Sequence, residues 1–404
     1  MAVTAVGAVT AAGTSVAALF DDMLNERRPF TGRQIPLVAN ALPHGPGGQD
    51  RGHGREVFAA HVRDPLDLTD VVGARAARSF GRDSRLLVYA AHTTGVARAA
   101  GAAAERTGVV LGTLYAGRNE YLAIHDAFDG ASAGPVNPVW GPQAGYNAPA
   151  AQLSIHLDAR GPNLTLSCGA TAGLDAVVTG VQQVDDGICD TVLAAGLDTL
   201  SVADAGEPGA APGTAGAAHG AGPGAAVPRG EAAAVLVLEG AACDDERVLA
   251  RILGTGQAAA APTAAPTGPQ PTPELAGAAE EAVRAALGQA GRTPADVGLA
   301  VITTADQGEA RAAELAALAA VFGPGLPVCC ATATTGRAGG ADGVIAVAVA
   351  VEALTRRIVP PAAGPRPWPV APTGTLALCL SVDPAGRATA VVVRGPESSQ
   401  EAAA

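Results

Sequence analysis

The sequence predicts a layered α/β fold built from two similar halves. Strand patterns rich in Val, Ile and Thr alternate with Ala-rich helical patterns along the chain, and the alternation in residues 1–240 returns in residues 241–404. The 404 residues suit two or three average domains or one large duplicated fold. Hydrophobic residues make up 48% but aromatics only 3%, so Ala and Val must fill the interior and helices must approach through small side chains.

In the first half, Val3–Thr10 reads as a strand, and Gly13 and Thr14 turn into a helix running to about Leu24. The segment Arg27–Arg55, rich in Gly, Pro and Arg, reads as surface loop. An Ala-rich helix over Ser84–Ala104 precedes a buried strand, Gly108–Leu114. A helix over Tyr115–Phe128 and an irregular stretch to Pro149 lead to a helix at Ala150–Leu157. Strand Asn163–Ser167, helix Ala172–Gly187 and strand Asp190–Ala195 follow. Gly206–Arg229, full of Gly, Ala and Pro, reads as a long loop.

Strands at Ala232–Leu238 and Val248–Gly256 flank a turn, and a Pro/Ala stretch, Ala258–Pro273, precedes the helix Glu274–Ala290. The second half continues with strand Val297–Thr303, helix Arg311–Val321, strand Pro327–Ala331 and an Ala/Val helix, Gly339–Arg356. Leu376–Val382 and Thr389–Arg394 close the chain as an antiparallel pair.

Charge and cysteine usage narrow the function classes. Acidic residues number 38 against 26 basic ones, every basic residue is Arg, and the net charge is −12. Without lysine there is no Schiff-base chemistry, and without a basic patch nucleic acid is not expected as a partner. The six cysteines form no CxxC pair and read as reduced, buried thiols of a cytoplasmic protein. The N-terminus lacks a basic signal-peptide region, and the longest apolar run, near Gly343–Leu354, is interrupted by Glu352 and too short to span a bilayer, so no membrane is expected.

Three segments carry a family resemblance. Gly161-Pro-Asn-Leu-Thr-Leu-Ser-Cys-Gly-Ala-Thr-Ala-Gly-Leu-Asp-Ala176 is similar to the nucleophile elbow of β-ketoacyl synthases. Val301-Ile-Thr-Thr-Ala-Asp-Gln-Gly308, with Glu314 and Val321-Phe-Gly323, resembles the segment bearing that family's first catalytic His. Thr335-Gly-Arg-Ala-Gly-Gly340, then Ile358-Val-Pro-Pro361, resembles the segment with its Lys and second His. The opening Ala5–Thr10 and the run Pro228–Glu239 match in style, so the resemblance spans nearly the whole chain in order. It implies a thiolase-like five-layer αβαβα fold.

The chemistry of that family is missing. A thiolate at a helix N-terminus would form the thioester, with backbone N–H groups for the oxyanion. The resemblance puts Ala170 at the nucleophile position, and a methyl group forms no thioester. The two imidazole positions fall at about Thr304 and Arg337, a poor base and a permanent cation. Counting agrees: the seven histidines end at His219. The family's Gly-Phe-Gly-Gly-x-Asn gating loop is replaced by Ser381-Val-Asp-Pro-Ala-Gly386.

This pattern resembles the chain length factors of type II polyketide synthases, the degenerate partners of active ketosynthases. The resemblance implies a heterodimer with a ketosynthase alpha subunit. Phosphopantetheine-linked acyl chains would be presented to that complex by an acyl carrier protein, with no bound cofactor or metal. Such a subunit supplies the far wall of the partner's cavity, and the size of its side chains sets product length by steric exclusion. Those proteins usually carry Gln where Ala170 stands, so a Gln-linked priming role is not carried over.

By position, the wall falls on the helix starting near Gly117 and on the interface segment Val136–Ile155. Arg118, Tyr121 and His125 share a helix face at i, i+3, i+7, with Trp140 and Tyr146 as further lining candidates. Arg118 and His125 either bond keto oxygens or pair with acids. A standalone acyl-thioester decarboxylase or acyltransferase using Cys168 or Ser167 is the alternative; against it, Cys168 reads as a buried thiol. Arg337 reads as a structural ion pair more readily than an anion site. Glu120, His125 and Asp126 have a spacing that does not converge on a metal.

Overall fold

The computed structural model describes residues 1–35, 55–63, 66–129, 136–206, 227–240, 243, 245–261, 271–306, 308–361 and 371–396. The expected loops at 206–229 and 258–273 lie for the most part outside the described residues.

The strands of the first half are β1 (Ala2–Val9), β2 (Phe30–Ile35), β3 (Arg55–Ala60), β4 (Thr107–Gly112), β5 (Asn163–Leu166), β6 (Thr191–Asp198) and β7 (Ala232–Glu239). The second half has β8 (Ala250–Ala259), β9 (Val297–Ile302), β10 (Val328–Cys330), β11 (Leu376–Val382) and β12 (Arg387–Arg394). The longer helices are α1 (Val16–Leu24), α2 (Arg82–Thr93), α3 (Arg118–Asp129), α4 (Ala148–Leu157), α5 (Ala172–Asp185), α6 (Pro273–Ala290), α7 (Glu309–Phe322) and α8 (Gly340–Arg356).

Ten strands form one hydrogen-bonded array in the order β10-β9-β11-β12-β8-β1-β7-β6-β4-β5. Numbered within its own half, each set of five reads 3-2-4-5-1. In each half, too, the second, third and fourth strands are parallel, and the fifth runs antiparallel to both its neighbours. The duplication expected from the sequence is therefore a duplication of topology. The halves meet at β1 and β8 through only two paired positions, Ala2 with Arg251 and Val3 with Ala250.

Strand alternation builds the layers. On β6, Leu193, Ala195 and Leu197 face a core shared with α2 and α4, while Val192 and Ala194 face the core of α5 and α8. On β11, Ala377 and Cys379 face α5 and α8, while Leu376, Leu378 and Leu380 face α6 and α7. Helices, sheet, helices, sheet, helices is the five-layer αβαβα arrangement. In the middle layer α5 and α8 cross backbone to backbone: a Cβ on Gly173 would collide with the carbonyl of Gly340, and one on Gly343 with the amide of Leu174. The small-residue packing anticipated from composition is concentrated there.

Three local expectations change. Part of the segment read as loop, Arg27–Arg55, is strand β2, paired antiparallel with β3 and seated by an edge-to-face contact of Phe30 with Phe58 at 6.3 Å. The helix expected over Ser84–Ala104 stops at Thr93. There Thr93 and Thr94 turn their hydroxyls onto the carbonyls of Ala90 and Ala91, and Gly95 takes φ +70°. The helix expected from Tyr115 begins at Arg118, because Asp198 holds the preceding turn through the amides of Leu114 and Tyr115 and the hydroxyl of Thr113. β7 and β8 do not pair across their turn; β1 lies between them.

Candidate functional site

Strand β5 ends at Leu166, and Ser167, Cys168 and a short 3-10 turn, Gly169–Thr171, deliver the chain into α5. Gly169 takes φ +82°, which favours glycine, and this bend puts Ala170 at the tip of a strand–elbow–helix. The elbow is held from both sides. The Ala170 amide donates to Asp383 Oδ2 at 2.5 Å, and its carbonyl accepts from Ser381 Oγ at 3.0 Å. Asp383 and Ser381 belong to the β11–β12 hairpin, more than two hundred residues away. A Cβ on Gly169 would overlap the Asp383 carboxylate, so the hairpin tip sits directly against the bend.

Beneath the elbow, Asp175 in the first turn of α5 gathers five donors. Its Oδ2 accepts from Cys168 Sγ at 2.9 Å, Thr171 Oγ1 at 2.8 Å and Arg387 Nη2 at 3.2 Å. Its Oδ1 accepts from Gln257 Nε2 and Thr389 Oγ1, both at 2.6 Å. Burial alone would raise its pKa, but the bonds from Cys168, Thr389, Thr171 and Gln257 outweigh burial and hold the carboxylate below its usual range. Cys168 responds oppositely. Burial, its bond to Asp175 and that residue's charge push the thiol up to about 12. It is a protonated donor at neutral pH, with negligible thiolate for nucleophilic attack. Ser167 is exposed at the end of the strand.

Side-chain contacts run from the elbow towards Thr304 and Arg337. Ser381, bound to Ala170, also accepts from Thr303 Oγ1 at 2.9 Å. Thr303 Oγ1 lies 3.1 Å from Glu314 Oε1, which accepts from the Thr303 amide and the Thr304 hydroxyl, each at 3.4 Å, and Arg311 donates to the Thr304 carbonyl at 2.9 Å. Glu314 is fully buried, and burial pushes its carboxyl up to about 8 against those bonds. Two residues beyond Thr304, Asp306 pairs with Arg337 at 3.2 Å, and Arg337 also donates to the Val227 carbonyl at 2.9 Å. Arg337 is thus a structural cation. Ser381 thus connects Ala170 to Thr303, the neighbour of Thr304, and Asp306 connects the same segment to Arg337.

The expected lining residues divide. Arg118 turns inward: its Nη2 bonds both oxygens of buried Asp204 at 2.7 and 2.8 Å, and its guanidinium stacks 4.2 Å from the Tyr115 ring centre. Of its two expected roles, pairing with an acid is the one observed. Trp140 is buried in the fold. Tyr121 and Tyr146 are 61% and 51% exposed, and His125 is exposed as well. Glu120 is buried and, through burial and the nearby Asp83 charge, pushed up to about 7; it faces away from His125 and Asp126, so the three do not meet.

Of the eight large hydrophobic side chains standing exposed among the described residues, five lie between 121 and 155: Tyr121, Phe128, Val139, Tyr146 and Ile155. Tyr121 and Phe128 belong to α3 and Ile155 to α4, while Val139 and Tyr146 flank the short helix Trp140–Gln143 between them. α4 in turn abuts β5, whose Asn163 donates to the Ala150 carbonyl at 3.1 Å. Among the described residues β5 ends the array and pairs only with β4. Exposed apolar side chains and a strand edge are features that favour association with another protein. No helix among the described residues is long and apolar enough to cross a membrane.

Sequence reasoning missed Asp383 and the reach of Asp175. An Asp-Pro-Ala-Gly string signals a turn, but nothing local says that its carboxylate meets an amide 213 residues away.

Residues 1–242 match the β-ketoacyl synthase N-terminal domain and residues 249–365 the β-ketoacyl synthase C-terminal domain. No curated protein sequence matches the chain. Among solved structures, the ishigamide ketosynthase/chain length factor superposes with TM-score 0.69 at 21% identity, covering 98% of this chain and 99% of that one. A β-ketoacyl synthase from Burkholderia phymatum STM815 gives TM-score 0.73 at 20% identity, covering 98% and 99%. The ketosynthase ApeO in complex with its chain length factor ApeC, from Xenorhabdus doucetiae, gives 0.71 at 19% identity, covering 98% and 97%. At these identities the structures share the thiolase-like fold with this chain, and the two domain matches, which together run through both halves, place it in the β-ketoacyl synthase family.

Proposed function

We propose that this chain is a non-catalytic chain length factor: it pairs with an active ketosynthase and shapes the cavity that sets polyketide length. The observation that carries the reading is Ala170 at the tip of an otherwise intact elbow. A fold that keeps the strand, the bend and the helix N-terminus but presents a methyl group cannot hold an acyl chain covalently. Cys168 does not replace the nucleophile, since its thiol donates to Asp175.

The partner in this reading is a ketosynthase alpha subunit, seated on the apolar surface of residues 121–155 and on the free edge of β5. Residues 1–240 carry that surface, and residues 241–404 form the second half behind it. An acyl carrier protein presents phosphopantetheine-linked chains to the complex, and this chain binds no cofactor of its own. Tyr121, His125 and Tyr146, exposed in this chain alone, are the side chains available to the cavity wall, whereas Arg118 is committed to Asp204.

The test is co-expression with a ketosynthase bearing an intact Cys and two His, followed by mass analysis of the polyketides. Tyr121→Ala removes a ring from the wall and is expected to lengthen the product by one or more ketide units. Unchanged product from intact complexes of the Tyr121→Ala, His125→Ala and Tyr146→Ala variants would refute the wall assignment. Condensation by the purified chain alone would refute the non-catalytic reading.

A further inference from the structure

The loss of a nucleophile does not by itself close the elbow. A strand–elbow–helix still points an amide at the place where a thioester oxygen would sit, and a helix N-terminus still favours negative charge there. We infer that Asp383 is a built-in occupant of this position: an internal carboxylate takes the anion's place at the elbow and keeps acyl carbonyls out of this chain's own vestigial site. This deepens the non-catalytic reading and rests on it for the identity of the excluded ligand.

Four observations support the inference. Asp383 Oδ2 accepts from the Ala170 amide at 2.5 Å, a charge-assisted geometry that leaves the amide no capacity for a second acceptor. The carboxylate is held in place, since its other oxygen accepts from the Ala385 amide at 2.7 Å within a turn closed by Gly386 onto the Asp383 carbonyl at 2.9 Å. The next residue at the hairpin tip is Pro384, which has no N–H, and the amides of Ala385 and Gly386 are already committed to Asp383. Finally, the contact is close along the bend, because any side chain at Gly169 would overlap the carboxylate. Ser381 fixes the opposite side of the same peptide through the Ala170 carbonyl. The hairpin thus closes the elbow with charge as well as bulk.

A carboxylate held at the elbow also disfavours any thiolate placed there. The test installs the missing thiol in the full-length chain as a reporter and compares Ala170→Cys with Ala170→Cys/Asp383→Asn and Ala170→Cys/Asp383→Gly. Each is alkylated with iodoacetamide at pH 7.5, and modification of Cys at position 170 is followed by peptide mass spectrometry, which separates it from the six native cysteines. A like charge in contact raises a thiol pKa by one to two units, and each unit is tenfold in thiolate. The single variant is therefore expected to react about 10- to 100-fold more slowly than either double variant. Equal rates in the single and double variants would overturn the inference. If the glycine variant loses its circular dichroism spectrum, the nearly isosteric Asn variant decides. No partner subunit enters the experiment, so its outcome is independent of whether product length changes in the complex.

Discussion

Replacing Glu314 with Gln probes a buried carboxyl beside the Thr303–Thr304 segment. The carboxyl is fully buried on α7, its Oε1 accepts from Thr303 and Thr304, and its Oε2 is sealed from solvent without a partner. Burial sets its folded-state pKa near 8, against an unfolded value of 4.5. Between those values the unfolded chain has lost the proton and the folded chain keeps it, so unfolding releases a proton. Stability therefore falls as pH rises from about 5 to 8 and levels off above that. One such group contributes at most about 1.4 kcal/mol per pH unit, or roughly 2–4 kcal/mol over the window. Glu314→Gln keeps the acceptor for Thr303 and removes the titration. Urea unfolding followed by tryptophan fluorescence at pH 5, 6, 7 and 8 is the assay. Parent and variant should be nearly equal at pH 5 and diverge towards pH 8, with the variant the more stable. Asp342 and Asp198, also raised by burial, titrate in both proteins and cancel in the comparison. Curves that stay parallel from pH 5 to 8 would refute a neutral buried carboxyl.

Asp175→Ala strands five donors, four of them from beyond its own first turn, and should cost about 3–5 kcal/mol in denaturant unfolding, with Asp175→Asn costing less. Gly173→Ala places a methyl group against the Gly340 carbonyl at the crossing of α5 and α8; a loss of about 3 kcal/mol or more, or failure to fold, is expected by thermal melting. Cys168 should resist 5,5′-dithiobis(2-nitrobenzoate) at pH 8 in the folded protein and react promptly after denaturation, since its thiol lies near 12 only when buried against Asp175.

Much of the fold was legible because its signals are local. Val297–Ile302 and Leu376–Val382 read as strands from β-branched and apolar runs, and Gly340–Arg356 as a helix from an Ala/Val run too long for a strand. β2 was not legible: Phe30–Ile35 carries Gly and three polar residues, and its pairing with β3, with Phe30 against Phe58, makes it a strand. At the site, the elbow was legible because its residues are contiguous, but what packs against it was not. Asp383 at the elbow, Asp204 under Arg118 and three of the five donors around Asp175 (Gln257, Arg387 and Thr389) are partnerships across 80 or more residues.

The junction of the two halves has a consequence for cooperativity. Two paired positions between β1 and β8 are too few hydrogen bonds to bind two five-stranded units. What joins them is the shared layer of α5 and α8, whose side chains belong to a single core with strands of both halves and whose backbones touch at glycine. Neither half can unfold without stripping the other of its inner face. The duplicated chain should therefore melt as one unit in a single transition, with calorimetric and van't Hoff enthalpies in agreement.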